Sequence, residues 1–214
     1  MCGRYAIFAP QAVVIEAFSL RDGVAFEPRY NAAPLQTLPV IVKDKLGMAR
    51  WGLLPPWLTQ DQPLTAAKMM NARSETIAEK PAFREAWERG RRCLIPVNGF
   101  YEWVTDEASR QRQPFFIYNP TSPIMGLAGL WTKTDDLVTF TILTKDATGS
   151  VSDLHHREPI IILPDQAKAW FAQDVAGAAQ MMAQSNSFGL AYQPVSKDVG
   201  TVVNDAPYLI EKLT

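Results

Sequence analysis

The sequence predicts an α+β fold: one domain over residues 1–214, built on a curved or barrel-like, mainly antiparallel β-sheet with peripheral helices. Three observations carry this expectation. Short runs rich in Val, Ile, Phe, Tyr and Trp recur between clusters of Gly, Pro, Asn and Asp, the pattern of short strands joined by turns. Sixteen prolines favour turns and extended segments over long helices. No repeat, low-complexity tract or linker interrupts the pattern, and 214 residues at 47% hydrophobic content suffice to bury one substantial core.

In chain order, Gly3 to Phe8 reads as a short strand and Gln11 to Ser19 as an amphipathic helix with Val13, Val14, Ala17 and Phe18 on one side. Arg29-Tyr30-Asn31-Ala32-Ala33-Pro34 is polar and turn-prone. Leu38 to Val42 and Met48 to Leu54 are expected to pair through Asp44-Lys45-Leu46-Gly47. Pro55-Pro56-Trp57 then sets a tryptophan on a stiff loop, either as a stacking platform or as a plug at a barrel edge. The polar hexad Asn71-Ala72-Arg73-Ser74-Glu75-Thr76 leads toward a short helix at Pro81 to Arg89, where Phe83 and Trp87 share a face. Arg91 to Val97 and Gly99 to Val104 read as a hairpin turning at Asn98-Gly99. A polar loop from Asp106 to Gln113 precedes three further strands, Phe115 to Tyr118, Gly126 to Trp131 and Val138 to Thr144. Beyond Leu154-His155-His156-Arg157-Glu158-Pro159, Ile160 to Leu163 is a strand. Helices follow at Pro164 to Phe171 and Asp174 to Ala183, then a strand at Phe188 to Val195 and a mildly β-like tail at Val202-Val203-Asn204-Asp205.

Composition narrows the function classes. A net charge of -1 excludes a protein that coats nucleic acid by bulk charge, so any DNA contact must come from a few placed arginines. No apolar stretch reaches membrane-span length, and Pro10 and Glu16 interrupt anything like a signal peptide, so a cytoplasmic location is expected. Two cysteines in this length argue against a disulfide framework and for reduced thiols at Cys2 and Cys93.

The most reactive chemistry lies in Met1-Cys2-Gly3-Arg4. Trimming of Met1 leaves Cys2 with an α-amine and a thiol on adjacent carbons, a 1,2-aminothiol that condenses with an aldehyde to an imine and then closes to a thiazolidine. The amine titrates near ~7.8 and the thiol near ~8.5, and Arg4 is expected to raise the thiolate share. Glu102, between Tyr101 and Trp103 in a segment fit for burial, must be paired or have its pKa raised. His155 titrates near neutrality. Metal binding is not expected: the spacing of Cys2, Cys93, His155 and His156 matches no zinc pattern, and adjacent histidines in an extended chain point to opposite faces. No cofactor is expected either, since no phosphate-binding loop, dinucleotide fingerprint or Gly-x-Ser-x-Gly elbow is present.

Taken together, the Met1, Arg29, Asn71 and His155 segments, with Trp51-Gly52-Leu53 through Trp57 and Gly99-Phe100-Tyr101-Glu102-Trp103, resemble in order and spacing the SOS-response-associated peptidase (SRAP) family. That resemblance implies a sensor of abasic sites in single-stranded DNA that forms a covalent DNA-protein crosslink, with leader removal exposing Cys2 and a weak lyase activity. It implies Cys2 as nucleophile, Asn71 orienting the Cys2 end or the opened sugar, Glu102 assisting ring opening and proton transfer, and His155 moving the proton of Schiff-base formation. Arg4, Arg73 and Arg157 would hold phosphates, and Trp57, Trp103 and Pro34 would stack on or wedge against bases. Two residues depart from the family pattern, His156 and Glu158; His155 keeps the His-x-Arg-x-Pro spacing, while His156 competes for its role. A single chain suffices to crosslink one lesion, so a monomer is expected. Two other functions compete: a Cys2-dependent thiol peptidase or amidohydrolase, and a non-enzymatic single-strand binder in which Cys2 is dispensable.

Overall fold

The computed structural model describes residues 2–55, 57–58, 63–105 and 109–213. Its strands are β1 Tyr5–Ile7, β2 Asp22–Gly23, β3 Arg29–Ala32, β4 Thr37–Val42, β5 Lys45–Trp51, β6 Asn71–Arg73, β7 Arg92–Val97 and β8 Gly99–Thr105. The series continues with β9 Arg112–Tyr118, β10 Met125–Thr134, β11 Leu137–Asp146, β12 Arg157–Pro159, β13 Ile161–Ile162 and β14 Ala191–Pro194. Helices are α1 Gln11–Ala17, α2 Pro63–Lys68, α3 Pro81–Glu88, α4 Ala167–Ala172 and α5 Val175–Gln184. No described helix is long and apolar enough to cross a membrane.

Five strands close on themselves. β5, β4, β7, β10 and β11 are successive antiparallel neighbours, and β11 returns to β5 in parallel with Thr139 opposite Arg50 and Phe140 opposite Trp51. Closure removes the free edges that an open sheet would expose. Every residue of β7 is buried, so this barrel wall is covered on both faces. Trp51 and Phe140 stack in the core with centroids 6.2 Å apart, and the Tyr5 ring lies 5.1 Å from Trp51. Tyr5 thereby fastens β1, and the three residues before it, to the barrel.

β1 belongs to a second sheet ordered β14-β9-β8-β1-β3. Tyr5 pairs with Ala32 on one side and Phe100 on the other, and Tyr101 N donates to Arg4 O at 3.0 Å. This register lays the N-terminal residues along β8, beside Glu102.

Several local expectations change. Asn98-Gly99 is not a hairpin turn: β7 lies in the barrel and β8 in the second sheet. Asn98 instead braces a corner, its Oδ1 accepting from Phe8 N and Ala9 N at 2.7 and 2.9 Å and its Nδ2 donating to Pro123 O at 2.7 Å. A Cβ on Gly99 would collide with the Phe116 ring and Ile117 O, so only glycine lets β8 and β9 approach there. The β4–β5 turn is Lys43-Asp44, with Val42 opposite Lys45 and Lys43 at φ 57°. The Arg29 motif, expected to be turn-prone, supplies strand β3, and the Asn71 hexad supplies β6. The tail forms short 3-10 turns at Lys197–Gly200 and Pro207–Ile210 rather than a strand.

Candidate active site

The N-terminal segment, β8 and the His155 turn meet at a cleft of about 320 Å³. Gly3 and Arg4 form one wall, Glu102 and Trp103 of β8 another, and His155 and Gly200 close it, with Arg112 of β9 also on its lining. Cys2, immediately before Gly3, is fully buried, and its thiol is free. Its Sγ lies 3.8 Å from Arg4 O, and Asn71 Nδ2 donates to Cys2 O at 2.9 Å. β6 thus reaches from the barrel to hold the Cys2 peptide. Arg73, two residues along β6, shares the strand face of Asn71 and is exposed.

Burial governs the electrostatics. It raises the pKa of the Cys2 thiol, and the nearby Glu102 carboxylate raises it further. The expectation that Arg4 would enrich the thiolate is therefore corrected: burial is the largest influence on the thiol, and it raises the pKa. Burial also raises the pKa of Glu102, which is 3% exposed, and lowers that of half-buried His155. His155 Nδ1 lies 2.9 Å from Arg157 N and 3.1 Å from Arg157 O. The neutral ring accepts the N–H at Nδ1 and carries its proton on Nε2; the protonated ring can donate to the carbonyl without moving.

His155, not His156, lines the cleft, and His156 is exposed. The two rings stack at 4.3 Å instead of pointing apart, because the backbone before β12 is a turn and not an extended strand. Arg157 is held in an ion-pair cluster. It is 4% exposed, and its guanidinium donates to Glu75 at 2.7 and 3.0 Å, to Asp146 at 2.6 Å and to Thr144 O at 2.9 Å. Its guanidinium is paired with two carboxylates and braces β12 against β11. Glu158 is buried beside it in β12, accepting from Thr148 Oγ1 at 2.9 Å with Lys145 Nζ 3.9 Å away.

Trp103 lines the cleft, and the Arg112 guanidinium lies 5.8 Å from its ring centroid, in cation–π range. Trp57, 57% exposed, and Pro34, in the turn between β3 and β4, are not on the described cleft wall; Pro56 lies outside the described residues. Sequence reasoning missed Arg112 and Gly200. Arg112 was legible only through the β8–β9 register, which sets it opposite Thr105, and nothing local marks Gly200.

A family model described as SOS response associated peptidase (SRAP) matches residues 1–202. The chain belongs to this family. Among SRAP relatives, the Bacillus subtilis abasic site processing protein YoaM is 36% identical over 182 residues, spanning 79% of the chain and 78% of that protein. Escherichia coli YedK, also named an abasic site processing protein, is 29% identical with 99% of each chain covered. Abasic site processing protein HMCES of Gallus gallus is 30% identical over 97% of this chain and 76% of its own. A Bacteroides thetaiotaomicron protein of known crystal structure superposes with a TM-score of 0.86 at 23% identity, covering all of both chains, and shares the fold.

Proposed function

We propose that this SRAP protein processes abasic sites in single-stranded DNA, capturing the lesion covalently through Cys2. The observation that carries the reading is the seat of Cys2: its carbonyl is held by Asn71 at the head of a cleft lined by Glu102 and His155. Hydrolysis of the Met1–Cys2 amide, the autoproteolytic step, frees the α-amine. An abasic deoxyribose opens to a C1′ aldehyde when its C1′ hydroxyl loses a proton and its ring oxygen gains one. Glu102, whose pKa burial raises, serves that exchange. The Cys2 amine adds to C1′, water leaves to give the imine, and His155 supplies the proton for the departing hydroxyl. The thiol then adds to the imine carbon while its proton passes, through Glu102, to the nitrogen. The product is a thiazolidine, and the net by-product is one water.

A protonated thiol suits this order, with amine first and sulfur second. It suits a thiol peptidase poorly, because such a nucleophile needs a depressed pKa. The imine that escapes ring closure can lose a C2′ proton and break the C3′–O bond, which accounts for a weak lyase activity. Arg4 and Arg73 contact phosphates, and Trp103 stacks on a base that a single strand already leaves unstacked; Trp57 and Pro34 extend that surface.

The test mixes Met1-free protein with single-stranded DNA bearing one abasic site and then denatures it. A shifted band that requires both the abasic site and Cys2 is expected. No band from verified Met1-free protein, or a band that persists in Cys2→Ala, overturns the reading.

A further inference from the structure

The Arg29-Tyr30-Asn31 motif carries no role in the chemistry above, yet it holds a polar network that reaches the cleft from outside. Asp205 Oδ1 accepts from Tyr30 N at 2.6 Å and Asn31 N at 2.9 Å, while its Oδ2 accepts from Arg29 NH1 at 2.9 Å. In return, Asn31, 1% exposed, points its Nδ2 at three carbonyls of the C-terminal segment: Val199 O at 3.1 Å, Thr201 O at 3.1 Å and Asn204 O at 2.8 Å. β3 and the segment 199–205 therefore clasp each other with an acceptor and a donor running in opposite directions. Tyr101 Oη donates to Tyr30 O at 2.6 Å, tying the clasp to β8, the strand of Glu102.

The clasped segment carries Gly200, which forms part of the cleft wall and whose carbonyl accepts from Arg4 NH2 at 3.4 Å. The segment's own bonds are local: Thr201 N donates to Asp198 O at 3.0 Å, Asn204 N to Thr201 O at 3.1 Å and Asn204 Nδ2 to Asp198 O at 3.0 Å, and these shape the turn without tying it to the cleft. Val199 is buried in a small cluster with Ala6, Tyr101, Phe116, Val195 and Leu209, but the tip beyond it turns outward and Val203 is 87% exposed. A wall built from irregular backbone keeps its place only where its carbonyls have fixed donors, and the donors that tie this one to β3 belong to Asn31.

We propose that Asn31 and Asp205 are positioning residues, a latch that holds segment 199–204 as the far wall of the cleft and so keeps the opened sugar aligned with the Cys2 amine. The assignment rests on the reading of this cleft as the site of aldehyde capture. The latch touches neither the reacting atoms nor the phosphates directly. Its loss should therefore lower the maximal crosslinking rate more than it weakens DNA binding.

The experiment measures single-turnover crosslinking of Met1-free protein against increasing abasic single-stranded DNA, below the melting temperature of every variant. Asp205→Ala removes the acceptor for two backbone N–H groups and Arg29; Asp205→Asn keeps an acceptor for both N–H groups. As a control for general destabilisation, Asp174→Ala removes the N-cap of α5, where Asp174 Oδ1 accepts from Gly177 N at 2.8 Å, away from the cleft wall. Asp205→Ala should lower the maximal rate about tenfold with the half-saturating DNA concentration within about twofold. Asp205→Asn should restore most of the rate, and Asp174→Ala should leave it unchanged. A wild-type maximal rate in Asp205→Ala, an equal loss in the control, or an effect confined to half-saturation would each overturn the latch. Hydrogen exchange of the DNA-free variants gives a second readout: the Thr201 and Asn204 amides should exchange faster in Asp205→Ala, and unchanged protection there also refutes the proposal. If the wild-type protein forms no adduct, the functional reading fails, while the exchange result still decides the latch.

Discussion

The cleft around Arg4 and the ion-pair cluster around Arg157 are joined by His155, and they treat charge in opposite ways. In the cluster, a buried guanidinium meets a carbonyl and two carboxylates that reach solvent, so its charge is paired where the fold opens to the surface. In the cleft, half-buried Arg4 donates, among the described residues, to main-chain oxygens, Gly3 O at 3.1 Å and Gly200 O at 3.4 Å, and burial lowers its pKa. Carbonyls orient a guanidinium without cancelling its charge. The difference separates a cation whose charge is paired with carboxylates from one held by main-chain oxygens, although both sit in the motifs that suggest DNA binding.

The largest effect should come from the cleft's own carboxylate. Glu102→Gln keeps the shape of the side chain and removes its proton exchange, which should slow crosslinking roughly 100-fold. Because burial raises the Glu102 pKa, the wild-type rate should show an inflection above the ordinary carboxylate range that the variant lacks. A variant that retains both rate and inflection would remove Glu102 from the mechanism.

On the cluster side, Glu75→Ala should cost about 2 kcal/mol of folding stability. That is less than the ~3–5 kcal/mol expected for breaking a fully buried pair, because the Glu75 side chain is 45% exposed and Asp146 still holds Arg157. Hydrogen bonding from Arg157 lowers the Glu75 pKa. A depressed folded-state pKa gives stability that is present above the unfolded value of about 4.3 and lost as pH falls through the lower folded value. The melting-temperature gap between wild type and Glu75→Ala should thus be widest near neutrality and close in acid. A gap that does not vary with pH would mean that the pair contributes packing alone.

How much of this contrast is legible in the sequence depends on the range of each interaction. Alternating apolar runs and turn residues suffice to find the barrel strands, and the placement of Cys2, Glu102 and His155 in separate motifs suffices to nominate them. The partners of Arg157 do not follow from its neighbours: Glu75 lies 82 residues away and meets it only because β6 and β12 flank β11. Gly200 is 196 residues from Arg4 and is brought to the cleft by Asn31, whose strand looks like a turn when its pairing is unknown. Asn98-Gly99 misleads for the converse reason. The local signal for a tight turn is genuine, but the Asn98 amide is spent on Phe8, Ala9 and Pro123, and the chain leaves one sheet for the other.

The smallest effect separates the two arginines most cleanly. Each phosphate neutralised by a cation releases counterions, so the logarithm of affinity falls with the logarithm of salt by ~0.7 per contact on a single strand. Arg4→Gln should reduce that slope by about 0.7 and weaken binding to every sequence alike, with little change in melting temperature. Arg157→Gln should do the reverse, leaving the slope intact while lowering stability, because its guanidinium already belongs to Glu75 and Asp146. Fluorescence anisotropy titrations with undamaged single strands at several salt concentrations read the slope free of any covalent step. If Arg157→Gln flattens the slope, the cluster must open when DNA binds, and the division between bracing and contacting charge would fail at that residue.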